Sequence, residues 1–356
     1  MKRLYIVLAL VTVSCGVFAQ ASSCAQSLRL AQSIYDQGRL HELEDLITKA
    51  MGSQATPCSQ TEQVSLLKLL TLAYIYLEEP EKADASMLKI LQTDNYFEIN
   101  PAVDPAEFVA LYRTFRTKEI YRIGATLGTN ATQPNVANSV TAVELAEGSK
   151  YKYGIALQFG AVVDVPLRIK GKYDLTLHGE LLYMNRRFEI DQKVLRGENL
   201  DGTPLIQQLQ GFESQNWISI PLSAQYRFLD KKINPYVSGG VVVDLLLGDA
   251  ELQSERFRDE AASLPETTFE LTRERLNLSA MLATGIKLKA GGGFFIAEIR
   301  YTHGLTNVSS TETAFENQRA IWGQYYADPV FKVSSLSLSG SYVINIFNPK
   351  KAKLRL

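Results

Sequence analysis

YKYGIALQFGAVVDVPL, residues 151–167, carries an apolar or aromatic side chain at every odd position from Tyr151 to Leu167, while the even positions hold Lys152, Gly154, Ala156, Gln158, Gly160, Val162, Asp164 and Pro166. A strand turns successive side chains to opposite faces, so this segment is greasy on one side and small or polar on the other. The same period returns at 218–228, where Ile218, Ile220, Leu222, Ala224, Tyr226 and Phe228 oppose Trp217, Ser219, Ser223, Gln225 and Arg227. It returns again at 335–346, where Leu336, Leu338, Tyr342, Ile344 and Ile346 oppose a row of serines and Asn345.

Working outward, the period predicts eight strands: 120–128, 151–167, 172–187, 216–228, 235–247, 276–289, 294–306 and 332–347. Most reach the ~9–11 residues that a tilted membrane-crossing strand needs, whereas soluble strands average ~5–6. The connections alternate long (129–150, 188–215, 248–275, 307–331) and short (168–171, 229–234, 290–293), as in outer-membrane barrels. Tyr121, Tyr173, Tyr226, Phe228, Phe295, Tyr342 and Phe347 gather toward the short turns, and Tyr151, Tyr153 and Tyr183 toward the long connections, like two interfacial girdles. Residues 119–347 therefore read as an eight-stranded antiparallel transmembrane β-barrel, with odd residues of 151–167 toward lipid, even ones toward the lumen, and both termini periplasmic.

The 356-residue chain has a formal net charge of −1, which gives no reason to expect a nucleic acid partner. Lys2 and Arg3 precede an apolar run from Leu4 to Val13, and a small-residue site ends at Ala19. This is the pattern of a cleaved signal peptide, residues 1–19. Its removal takes Cys15 and leaves Cys24 and Cys58, which an oxidising compartment allows to pair as a disulfide.

Residues 22–118 carry helical spacing instead. Leu28, Leu30, Ala31, Ile34 and Tyr35, then Leu43, Leu46, Ile47 and Ala50 after Gly38, make one helical hairpin. Val64 through Tyr74, then Ala83, Met87, Leu88 and Leu91 after Pro80, make a second. The stretches LAQSIYDQGRLHELEDLI and LAYIYLEEPEKADASMLKIL resemble tetratricopeptide-type repeats at an offset of 40 rather than 34 residues. Asp104 as N-cap, Pro105 at the first helical position and Glu107 at the third predict a capped third helix. Stacked hairpins of this kind leave a groove for a partner's segment, so a periplasmic protein partner is expected through residues 22–118.

In the second half, WISIPLSAQYRF, INPYVSGGVVVDLLLG and FFIAEIRYTHGLTNV, in that order, resemble the recurring strands of the PorT-like outer-membrane β-barrel family. The likeness covers about 120–347 and implies an outer-membrane barrel, in some members tied to type IX secretion. A basic tail, 348–356, runs on past the last strand.

An eight-stranded barrel is filled by its own side chains. Parity turns Asp164, Asp174, Glu180, Arg227, Lys287, Glu298 and Arg300 inward, where they are expected to pair, because isolated buried charges are costly. The histidines are His41, His178, inward on the third strand, and His303, lipid-facing near the outer end of the seventh. Leu305 stands where a serine would share a face with His303, so no local serine hydrolase pair, no cofactor, no metal and no enzyme activity is expected. The fold class is α+β multidomain, and the expected role is a non-enzymatic barrel in outer-membrane lipid that anchors a helical domain docking a secretion, assembly or envelope-anchoring machine. Solute or ion transport and lipid modification are the alternatives.

Overall fold

The computed structural model describes residues 23–352 apart from 53–56, 139–143, 146, 170–171, 199, 230–232, 260–261, 265–266, 313–315, 317, 320, 322–325 and 327. The expected signal peptide lies outside the described residues. The chain divides into two compact units: Met1–Lys118 with Phe347–Leu356, and Glu119–Ile346. Among the described residues no helix is long and apolar enough to cross a membrane.

The first unit holds α1 (Ser23–Asp36), α2 (Leu43–Met51), α3 (Gln60–Tyr76), α4 (Pro80–Thr93) and α5 (Ala106–Arg113). In α3 the run from Leu66 to Tyr74 is buried on nearly every side except Lys68, which makes it the central helix around which the others pack. Ser59 opens α3 with a capping box, its Oγ accepting from the Glu62 N–H while Glu62 accepts from the Ser59 N–H. The disulfide joins Cys24 in α1 to Cys58 before α3, across a separation of 34 residues. Closing a loop of that size stabilises the unit by roughly 3–4 kcal/mol on the chain-entropy account.

The two hairpin turns are alike. Gly38 has φ 73° and Glu78 has φ 60°. Gly38 N–H donates to Tyr35 O and Arg39 N–H to Ile34 O, while Glu78 N–H donates to Ile75 O and Glu79 N–H to Tyr74 O. The equivalence explains the 40-residue offset, with a glutamate held in the left-handed backbone that glycine adopts freely.

Two readings of this unit differ from the sequence. Asp104 does not cap α5: the N-cap is Pro105, with no side-chain cap bond. Its carboxylate accepts instead from the Asn100 N–H at 2.7 Å and from the Lys68 ammonium, a full positive charge that no helix amide matches. Phe347 and the tail belong with the helices, not with the barrel. Arg116 N–H donates to Lys350 O, Ala352 N–H to Thr114 O, the Phe347 ring meets Tyr96 edge-on at 5.0 Å, and Lys351 pairs with Asp84.

The second unit contains β1 (Tyr121–Asn138), β2 (Glu144–Leu145), β3 (Lys150–Ile169), β4 (Lys172–Glu198), β5 (Pro204–Arg227), β6 (Ile233–Leu246), β7 (Ala250–Asp259), β8 (Ala262–Leu264), β9 (Thr267–Leu271), β10 (Leu276–Ala290), β11 (Gly293–Gly304) and β12 (Val330–Ile346). Antiparallel pairing runs β1–β3–β4–β5–β6–β10–β11–β12 and back to β1, a closed ring of eight long strands among the described residues. Within the ring each long strand is paired on both sides, the condition for strands in lipid. Outward positions stay apolar and exposed, among them Ile155, Leu157, Phe159, Leu181, Leu222, Leu282, Ile299 and Leu338.

The strands run further than the hydropathy pattern predicts. β4 has 27 residues and β5 has 24, paired from Leu175/Tyr226 to Glu198/Pro204, so most of the expected long connection 188–215 is hairpin, and β7 continues the sheet on β5. The inward period persists there through Phe188, Ile190, Leu209 and Glu213, but the outward residues become Arg187, Glu189, Asp191 and Lys193. The ladder has left the apolar band while the strand continues. Tyr151 is turned inward, against the expected parity, where it packs on buried residues and its hydroxyl accepts from Gln192 at 2.8 Å, whereas Tyr153 stays exposed. The side chain of Tyr173 lies outside the described residues.

Candidate functional site

The barrel interior holds two charged layers. In the first, toward the short turns, Asp164 on β3 meets His178 Nδ1 at 2.5 Å and accepts from Lys287 Nζ at 2.7 Å. His178 Nε2 lies 2.8 Å from Glu180, which accepts two bonds from Arg300 at 2.7 and 2.8 Å. Arg300 also donates to Glu298 at 2.6 Å, and Glu298 accepts from the Tyr236 hydroxyl at 2.6 Å. Arg122 adds a bond to Glu119 at 2.5 Å and lies over the Phe294 ring. Three fixed cations (Arg122, Lys287, Arg300) thus face four carboxylates (Glu119, Asp164, Glu180, Glu298). Both ring nitrogens of His178 face carboxylates, so the imidazolium is the form in which both contacts are hydrogen bonds, and it makes the layer neutral.

Of the residues parity selects, Asp164, Glu180, Lys287, Glu298 and Arg300 are brought together here. Arg227 stands half-buried at the short-turn mouth beside Gln225 and Tyr236, and the side chain of Asp174 lies outside the described residues. Arg122 and His178 complete the layer by the same inward parity. The space left between Arg122, Gln225, Lys287 and Phe294 is about 20 Å³. That is room for about one water.

The second layer closes the opposite end. Arg273 donates to Glu213 at 2.8 and 2.9 Å and to Asp328 at 2.6 Å, and Arg186 donates to Asp244 at 2.7 Å beneath the Trp217 ring. Phe188, Phe331, Leu252, Leu271 and Tyr326 pack around them as a buried cluster. Sequence reasoning missed this layer, because Glu213 lies past the expected end of its strand while Arg273 and Asp328 sit in connections without a period. Arg186 and Asp244 were accessible to the parity rule.

The helical unit presents an open groove of about 580 Å³ lined by Leu28, Arg29, Tyr35, Leu69, Leu72 and Val103. The Lys68/Asp104 pair lies on its wall.

The eight-stranded ring superposes on neisserial surface protein A at 12% identity, covering 64% of this chain and 97% of that one, with a TM-score of 0.31. For the outer membrane protein OprG of Pseudomonas aeruginosa the values are 12%, 66%, 98% and 0.33. For the outer membrane protease OmpT of Escherichia coli they are 8%, 64%, 96% and 0.30. Scores this low add nothing to what the strand pairing establishes. Curated proteins give no match. Residues 116–310, more than half of the chain, match the family described as outer membrane protein beta-barrel domain, and the chain, whose closed, outwardly apolar ring runs from Tyr121 to Ile346, belongs to that family of outer-membrane barrels.

Proposed function

We propose that this protein is a sealed outer-membrane anchor whose helical unit docks a protein partner in the periplasm, with both termini on that side. The observation that carries the reading is the filled interior: two paired charge layers and an aromatic cluster occupy the lumen that transport would require. The short-turn end is where barrels of this kind face the periplasm, and both passages into the helical unit leave the ring at that end. The likeness to tetratricopeptide hairpins supports a peptide-binding groove at Leu28, Leu69 and Val103, and the PorT-like strands support a partner from a secretion, assembly or envelope-anchoring machine.

The test uses the full chain in its native membrane, with a photo-crosslinking residue at Val103 and, as control, at exposed Glu81. One discrete adduct from Val103, absent at Glu81 and lost on Leu69→Asp, is the expected result. The same ladder of products from both positions would overturn the docking reading. In planar bilayers the protein should give no discrete conductance steps, and steady openings would overturn the sealed interior.

A further inference from the structure

The outward face of the ring changes character at one level on three adjacent strands. Along β12 the outward residues run Leu338, Leu336, Ser334, Lys332; along β11 they run Ile299, Tyr301, His303; along β1 they run Leu127, Thr129, Ala131, Gln133, Asn135. The apolar band therefore ends at His303, Ser334 and Gln133. An open groove of about 480 Å³ lies at this level, bounded by Tyr153, Tyr301, Gln133, Asn135, Ser334 and Leu336.

Ser334, on its lining, is the direct cross-strand partner of His303, whose Nδ1 stands 3.1 Å from Ser334 Oγ. Asn135 Nδ2 donates to the same oxygen at 2.7 Å. Since Asn135 supplies a donor, the Ser334 hydroxyl proton is free to point at the imidazole. A hydroxyl whose proton is directed at a histidine nitrogen is the arrangement of an activated nucleophile. The serine that Leu305 fails to supply on the strand of His303 comes from the neighbouring strand.

We propose that Ser334, His303 and Asn135 form a carboxylic-ester hydrolysis site on the lipid-facing wall, with acyl-ester lipids as substrate. The depth fits: the ester of a membrane lipid lies between its apolar chains and polar headgroup, where Leu336 and Tyr301 give way to Ser334 and Gln133. Ser334 Oγ attacks the ester carbonyl carbon as its proton passes to His303 Nδ1, and the carbonyl π pair moves onto oxygen. Asn135 Nδ2 is the near donor to that oxyanion. Collapse breaks the acyl carbon–alkoxy bond, and the imidazolium proton goes to the leaving alkoxide. Water then attacks the acyl-serine, gives its proton to His303, and releases the carboxylic acid with Ser334 restored. The balance is ester plus water to acid plus alcohol, with no further reactant.

The full chain, folded in detergent, is treated with a fluorophosphonate probe and mapped by mass spectrometry. Labelling at Ser334, absent in Ser334→Ala and slowed about 10²–10⁴-fold in His303→Ala, is expected. Both variants lie on the exposed wall, and unchanged heat-modifiable gel migration verifies that they fold. A wild-type chain that is unlabelled at Ser334, or labelled equally in His303→Ala, overturns the site. Fatty acid release is then followed from phosphatidylethanolamine–phosphatidylglycerol vesicles and, separately, from lipopolysaccharide micelles. Release in either arm that depends on Ser334 names the lipid source, and release in neither overturns the lipid substrate.

Discussion

Replacing Arg300 by Met removes the guanidinium that holds Glu180 through two bonds and Glu298 through two more, the shortest being 2.6 Å. The carboxylates stay behind in the barrel, 7% and 4% exposed. Breaking a buried ion pair by deleting one partner costs about 3–5 kcal/mol. Glu180 retains His178 and Glu298 retains the Tyr236 hydroxyl, which places the loss near the lower end of that range. A loss of about 3 kcal/mol lowers the folded-to-unfolded ratio more than 100-fold. Arg300→Met combined with Glu180→Gln removes one stranded charge and should recover about 1–3 kcal/mol relative to the sum of the single changes. The measurement is equilibrium urea unfolding of the full chain in detergent micelles, followed by fluorescence of buried Trp217 and by heat-modifiable migration. A single-variant loss below about 1 kcal/mol, or strict additivity in the double variant, would refute the account of the interior as an interdependent charge layer.

Glu78→Gly should stabilise the helical unit by about 1 kcal/mol, because Glu78 is exposed and held at φ 60° without a side chain that needs that backbone. A lower melting temperature of the helical transition by circular dichroism would contradict this. Burial pushes the Asp104 carboxyl up, but the Lys68 ammonium and Asn100 N–H outweigh it and hold the group below its ordinary value. With a depressed folded value, the stabilisation is complete above the ordinary carboxylate range and is lost as pH falls from about 4 downward. Asp104→Asn should therefore lower the melting temperature at pH 7 and flatten its fall in that window, and equal slopes for both chains would refute the pairing.

Parity along a strand is a local property, so the ring's two faces could be read along the predicted strands, and with them five members of the first charge layer, Asp164 on 151–167 and Glu180, Lys287, Glu298 and Arg300 on three others. Where the strands end could not be read, because past the membrane the outward face turns charged at Arg187 and Glu189 while the backbone ladder goes on. Tyr151 failed at that same end of the band, where its ring joins the buried interior cluster while Tyr153, two residues on, stays exposed. Register is equally silent in sequence, which is why Ser334, 31 residues from His303, could not be matched with it before the pairing of β11 with β12 was known. In the helical unit the Asp104-Pro105 signal was genuine chemistry claimed by another partner, Lys68, which lies 36 residues earlier.

The pairing of residues 114–116 with 350–352 bears on the order in which the protein matures. The helices precede the ring in the chain, yet a piece of their fold is made from residues that follow it, so that unit cannot finish until the ring's own sequence has been translated. A chain cut within the ring loses the strap that pairs with residues 114–116 together with the missing strands, so a single truncation leaves unpaired backbone in both units.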